Sequence, residues 1–156
     1  MSRGVRQAAT ASLLAEARDL SGDFDRLSQV VAERVGLSQT DLLAMDLISR
    51  DGHVTAGQIA SHLHLTSGAI TGLIDRLERS GFAKRQADPK DRRRVVVVPT
   101  PKGDRISELF GPLALALRRT TEGYSERDLA TLTDFLSKMR KAIAGTVDSL
   151  SKSSDR

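Results

Sequence analysis

Residues 55–81 read TAGQIASHLHLTSGAITGLIDRLERSG, and the stretch encodes two short helices with a tight turn between them. Thr55 followed by Gln58 is the spacing of a capping box, in which a hydroxyl takes the N3 amide and the N3 side chain reaches back to the cap. Ile59, Ala60 and Leu63 supply the inward positions of the first helix, and HLHL supplies the turn. Thr66 or Ser67 then caps a second helix whose apolar positions, Ile70, Leu73, Ile74 and Leu77, recur at three- and four-residue steps. Gly81 stands where a left-handed residue closes a helix, a conformation that glycine adopts without a Cβ penalty. Two helices of this size on so short a turn are a helix-turn-helix unit.

Opposite its apolar stripe the second helix carries Thr66, Ser67, Ala69, Thr71, Gly72 and Arg76, small or hydroxylated groups with one cation. A face without bulk lets a helix sink into the major groove of duplex DNA, where hydroxyls reach phosphates or base edges. The plainer reading is a surface helix of poor propensity. Gly68 and Gly72 should cost that helix about 1 kcal/mol each relative to Ala, and close approach to a partner would explain the cost. Arg76 belongs to this outward face unless it is salt-bridged to its neighbours Asp75 or Glu78.

After Gly81 the period changes from helical to extended. FAKRQA and RVVVVP flank the turn within QADPKDRR and read as a two-stranded hairpin, a wing beside the helix-turn-helix. Lys90, Arg92, Arg93 and Arg94 cluster at or beside its tip, and a guanidinium suits the narrow, strongly negative minor groove of A·T-rich DNA. Asp88 and Asp91 subtract attraction from a loop that only binds phosphate, but they fit as braces that hold an arginine, or the turn itself, in one geometry. Asp91 and the four cations are therefore the wing's candidate DNA contacts, against the alternative of an ordinary charged loop.

Helical periodicity dominates both ends. Leu13, Leu14, Ala17, Leu20, Phe24, Leu27, Val30 and Val31 mark a first helix closed by Gly36. Ser38 with Asp41 resembles a capping box for a second, which carries Leu42, Leu43, Met45, Leu47 and Ile48 to Asp51-Gly52. Thr100-Pro101 starts a fifth helix, with Thr as N-cap and Pro in the first turn. It is expected to bury Ile106, Leu109, Phe110, Leu113 and Leu117, with a kink at Gly111-Pro112. Ser125 caps a sixth, whose Leu129, Leu132, Leu136, Met139, Ile143 and Val147 recur nearly every 3.5 residues. The fold class expected is mainly α with a small β-hairpin wing: an N-terminal dimerisation helix over 1–36, a winged helix-turn-helix over 37–100, C-terminal dimerisation helices over 101–150 and a disordered polar tail over 151–156. A winged module alone cannot cover the apolar stripes of the flanking helices, and a twofold dimer in which both termini interdigitate would.

The 156 residues carry a net charge of +4. Between Ser67 and Arg105 ten Lys and Arg stand against five Asp and Glu, a net of +5, so the remaining residues sum to −1. Positive charge this local is the footprint expected for nucleic acid, although a solvated basic face would look similar. The chain has no cysteine, which excludes disulfides, a thiolate nucleophile and a Cys-ligated zinc site. His53, His62 and His64 show no convergence of the three or four donors that a metal needs, and no metal or cofactor is expected. The glycines at 68 and 72 lack the following lysine of a phosphate loop, no serine lies in a nucleophile elbow, and Asp88 and Asp91 lie on a basic turn, poor ground for a raised pKa. An enzyme is not expected. The N-terminus mixes charge through its apolar positions, so neither a secretory signal nor a membrane span is expected and a cytoplasmic location is the default.

These residues resemble the MarR-type winged-helix transcriptional regulators. The carrying motifs are LSQTDLLAMDLI, the 55–85 stretch ending in FAKR, and DPKDRRRVVVVPTPKG, together spanning Leu37 to Gly103. The last is similar to the family's wing pattern Asp-x-Arg-Asp-x-Arg leading to a strand and Thr-x-x-Gly. Asp88, Asp91 and Arg93 match it, Lys90 replaces the first arginine, and Pro99 stands where leucine is more usual. By resemblance Arg93 is the minor-groove finger and Asp91 its brace, while Lys at 90 removes any bidentate contact there. Gly72 stands where many members carry a larger polar side chain, which shifts base readout to Ser67, Thr71 and their neighbours. The resemblance implies a homodimer on a pseudo-palindromic operator, most often a repressor, released by a small, often aromatic or phenolic effector. A cleft near Phe24, Met45 and Phe110 could hold such a ligand, although Phe and Met at helical spacing are more often core. The absent cysteines exclude the family's thiol-based peroxide sensors. From another class, a winged-helix dimer used for architectural, protein or RNA contacts remains the alternative.

Overall fold

The computed structural model describes residues 3–153, and the chain forms two compact units, Met1–Phe110 and Gly111–Arg156. The first holds α1 (Arg3–Val35), α2 (Gln39–Asp51), α3 (Ala56–Leu63), α4 (Ser67–Arg79), β1 (Ala83–Ala87), β2 (Val95–Pro99) and α5 (Pro101–Glu108). The second holds α6 (Gly111–Thr121) and α7 (Glu126–Ser153). Among the described residues no helix is long and apolar enough to cross a membrane.

Side-chain caps set the helix starts in the first unit. Ser38, Thr55, Thr66 and Thr100 all sit in extended backbone and accept the amide three residues on. Thr55 and Gln58 form the reciprocal box. Ser38 and Asp41 do not: the Asp41 amide donates to the serine hydroxyl, but the Asp41 carboxylate leaves for α4. The HLHL segment is helical for longer than its reading as a turn allows, since His62 and Leu63 complete α3 and the left-handed residue is His64, with φ 52°.

The core lies where α2, α3 and α4 meet the base of the hairpin. Met45, Ile48, Ile59, Leu73, Ile74, Leu77 and Val97 are all buried to 1% exposure or less. β1 and β2 pair antiparallel from Ala83↔Pro99 to Ala87↔Val95. Val97 also exchanges two backbone hydrogen bonds with Val54, so the loop before α3 adds a one-residue third strand. Val96, Val97 and Val98 are all buried while Val95, nearer the tip, is exposed.

α5 packs against α2 and β2, which places it with the winged module's core. Its seating requires Gly103. A Cβ there would lie 2.1 Å from the Phe82 carbonyl oxygen and 2.7 Å from Met45 Cε, inside van der Waals contact. The Thr-x-x-Gly spacing has a matching cause. The Thr100 hydroxyl oxygen takes the Gly103 amide, and the hydroxyl itself donates to the Gly81 carbonyl at 2.7 Å.

The expected single helix through Gly111-Pro112 is two helices. α5 stops at Glu108, and Gly111 opens α6 with Pro112 in its first turn, where no backbone donor is needed. A break replaces the expected kink. Leu113 and Leu117, expected to be buried, are 40% and 60% exposed. α7 runs through Ser153, three residues into the segment read as a tail, while residues 154–156 lie outside the described residues. In α1 only Val31 and Ala32 are buried, and Leu13, Leu14, Leu20, Phe24 and Val30 are exposed.

Candidate nucleic-acid interface

α4 buries Ile70, Leu73, Ile74 and Leu77 and leaves Thr66, Ser67, Gly68, Ala69, Thr71 and Arg76 exposed, with Gly72 half-buried. Two of its three N-terminal hydroxyls are already engaged. Thr66 accepts the Ala69 amide as the cap, and Thr71 donates to the Ser67 carbonyl one turn back. The Ser67 hydroxyl makes no hydrogen bond among the described residues. Neither glycine is needed for packing, because a Cβ at Gly68 meets nothing within 4 Å and one at Gly72 meets only Arg76 Nη1 at 3.8 Å.

The wing tip is shaped by its aspartates through the backbone. Asp88 accepts the Lys90 amide at 2.8 Å, and Asp91 accepts the Arg93 amide at 3.1 Å. Backbone bonds from Asp88 N to Arg94 O and from Arg94 N to Asp91 O close the loop. Of the two bracing roles open to these carboxylates, the geometry is the one that holds the turn. Lys90, Arg92, Arg93 and Arg94 are exposed, and among the described residues their side chains enter no ion pair, so their charge faces solvent.

The wing strand is tied to α4 by a contact that local sequence does not reveal. On β1 the Arg85 guanidinium pairs with Asp75 Oδ1 at 2.8 Å and with Glu78, and the Arg85 amide donates to Glu78 Oε1 at 2.7 Å. Burial disfavours the Arg85 charge, but the hydrogen bonds to Asp75 and Glu78 outweigh it and hold the pKa above the ordinary arginine value. Two acidic residues of α4 are thereby neutralised from the wing strand. Arg79 donates to the Asp75 carbonyl. Lys102 donates to the Ser80 carbonyl and covers the Phe82 ring at 4.1 Å.

Arg76 pairs with neither of its acidic neighbours. It donates from Nε at 3.2 Å and Nη2 at 2.7 Å to the two carboxylate oxygens of Asp41 on α2. The hydrogen bond to Asp41, reinforced by its charge, raises the arginine pKa above its ordinary value. Asp41 is the buried charged residue among the described residues, at 4% exposure. Its signal was present in the sequence: it shares a helical face with Ala44, Met45 and Ile48, all buried. An acid on an inward stripe announces a buried carboxylate but not its partner 35 residues away.

A second feature lies beside α2. A cavity of about 380 Å³ is lined by Phe24, Ser28, Leu42, Leu43, Met45, Ile106 and Phe110 among others, so the three residues named from sequence as a cleft do line one space. His53, His62 and His64 are exposed, and among the described residues no three His, Cys, Asp or Glu side chains come together as a metal site.

Comparison with known proteins agrees with this geometry. The family model described as MarR family matches residues 37–95. The uncharacterized HTH-type transcriptional regulator YcgE of Bacillus subtilis is 39% identical over 111 residues, covering 70% of this chain and 72% of that protein. A MarR family protein from Bacillus stearothermophilus superposes with a TM-score of 0.66 at 20% identity, over 88% of this chain and 97% of the other. FabT of Streptococcus pneumoniae, solved in complex with DNA, superposes with a TM-score of 0.61 at 24% identity, over 85% of this chain and 97% of that one.

Proposed function

This chain belongs to the MarR family of winged-helix transcriptional regulators, and we propose that it works as a homodimeric repressor of a pseudo-palindromic operator, released by a small aromatic or phenolic effector. The observation that carries the DNA assignment is the wing. Among the described residues four cations enter no ion pair, on a tip whose turn is held by two carboxylates, and Arg85 ties its strand to the bulk-free α4. Thr66, Ser67, Ala69, Thr71, Gly72 and Arg76 then face the major groove, and Lys90, Asp91, Arg92, Arg93 and Arg94 form the wing contact, with Arg93 in the minor groove. FabT, of the same fold, carries DNA in its own complex, which supports duplex DNA as the partner.

Dimerisation is supported by apolar side chains left in water. Leu13, Leu20, Phe24 and Val30 of α1, and Leu132, Leu136 and Ile143 of α7, are each 44–57% exposed, more apolar surface than a stable soluble monomer leaves uncovered. A twofold axis would set the two recognition helices about one DNA turn, roughly 34 Å, apart. The effector reading rests on the mostly apolar cavity beside α2, which is of a size that suits a single small ring.

Selection of bound fragments from genomic DNA tests the reading, followed by a screen of aromatic acids and phenols for release. A single palindromic consensus, steeply weakened by salt, is the expected result. Equal affinity for every duplex would replace the operator with an architectural role, and a screen without hits would remove the effector.

A further inference from the structure

Asp41 lies outside every residue assigned to the DNA contact above, and its contacts imply a task in that contact. We infer that Asp41 is a positioning residue, which clamps Arg76 so that its free guanidinium edge receives a DNA phosphate. This inference rests on the reading of α4 as the DNA-recognition helix.

An ion pair whose carboxylate alone is buried is weak evidence of stabilisation, because the cost of taking that charge out of water offsets much of the attraction. What the pair does supply is direction. Asp41 binds Arg76 through Nε and Nη2, which fixes the plane of the guanidinium, and the Asp41 amide is itself capped by Ser38 at 3.1 Å. The remaining nitrogen, Nη1, makes no hydrogen bond among the described residues and lies alongside Gly72. The Arg76 side chain is 49% exposed while that of Asp41 is 5% exposed, so the clamp is inside and the free edge outside.

Phosphate, rather than a base, follows from position and surroundings. Recognition helices read bases from their N-terminal residues, and Arg76 is in the last turn of α4, next to the α1–α2 junction. There a concavity of about 270 Å³ is lined by Gly36, Leu37, Asp41, Arg76, Arg79 and Ser80. Arg79 adds a second cation, and the one acid in the concavity is already held by Arg76. Arg85, by contrast, is spent on Asp75 and Glu78 and offers no comparable free edge.

The test measures affinity for operator and for random duplex across a salt series, for the wild type, Arg76→Ala, Arg76→Lys, Asp41→Asn and the double variant Asp41→Asn/Arg76→Ala. Melting temperature and dimer mass are followed alongside. Arg76→Ala should weaken both duplexes by a similar factor, roughly 5- to 100-fold, and reduce the salt slope by about one. Asp41→Asn is the decisive variant because the two accounts differ in sign. Removing a negative charge near DNA should tighten binding by simple attraction, whereas loss of the clamp should weaken it at least about threefold, and that loss should vanish in the Arg76→Ala background. If Asp41→Asn does not fold, Arg76→Lys carries the test: it keeps the charge and loses the two-point clamp, so affinity should fall with the salt slope unchanged. Unchanged or tighter binding by Asp41→Asn or Arg76→Lys overturns the clamp, and an unchanged slope in Arg76→Ala overturns the phosphate. A wild type that binds no duplex instead overturns the recognition-helix reading itself.

Discussion

At the scale of single residues, Arg93 and Gly103 show two ways in which one position carries weight. Arg93 is exposed, its amide is held by Asp91, and its side chain is free to enter a groove. Arg93→Ala should weaken operator binding by about 1–3 kcal/mol with the dimer intact, as read by titration and light scattering; full affinity would remove the minor-groove contact. Gly103 is buried and lets α5 sit against the backbone of Phe82. Gly103→Ala forces a carbonyl and a methionine to move, so it should lower stability by at least about 1–3 kcal/mol, measured by chemical denaturation. A variant as stable as wild type would show that α5 shifts at little cost. Both positions could be named from sequence, Arg93 from the wing pattern and Gly103 from Thr-x-x-Gly. The reason glycine is needed could not, because it depends on Phe82, 21 positions earlier in the link between α4 and β1.

At the scale of elements, two contacts set geometry. Glu78 holds β1 to α4 through the amide and guanidinium of Arg85. Glu78→Ala should therefore loosen the wing relative to the recognition helix: amide exchange at Arg85 should quicken, stability should fall by about 1 kcal/mol, and operator affinity should drop although a negative charge is gone. Unaltered exchange at Arg85 would show that Asp75 suffices alone. The start of α7 is set by the Ser125 hydroxyl and amide, which hydrogen-bond Asp128 and hold its carboxyl below the ordinary 3.8. With the folded-state pKa lowered, this capping contribution is fully present above the ordinary value and is lost as pH falls through the lowered one. In an acid titration the Ser125 amide resonance should shift with a midpoint below 3.8; a midpoint at or above it would mean the box is not formed in solution. Elements were legible wherever caps and periodicity are local, as at Thr55, Thr66, Thr100 and Ser125. They were misread where the deciding fact was not local. Gly111-Pro112 fits a kink as well as it fits a fresh helix start, and Val54 pairs with a strand 43 positions later, which no neighbouring residue announces.

At the scale of the whole molecule, the exposed leucines of α1 and α7 are the open question, and self-association is the expected answer. A dimer should persist on dilution to micromolar concentration, and Leu136→Lys, at a position 55% exposed in the single chain, should dissociate it. Analytical ultracentrifugation decides the matter: a folded wild-type monomer at that concentration would rule out the interdigitated dimer. The amino-acid order alone determined the helix-turn-helix, its cap residues, the hairpin and the local excess of positive charge, because each depends on residues within a few positions of one another. Tertiary structure decided which charges remain free. It drew Arg76 to a buried Asp41 and Arg85 to Asp75 and Glu78, and left the wing-tip cations without an ion pair among the described residues. The physical reason is that a charge is satisfied by whatever lies a few ångströms away in space, and only folding brings both α2 and the wing strand to α4.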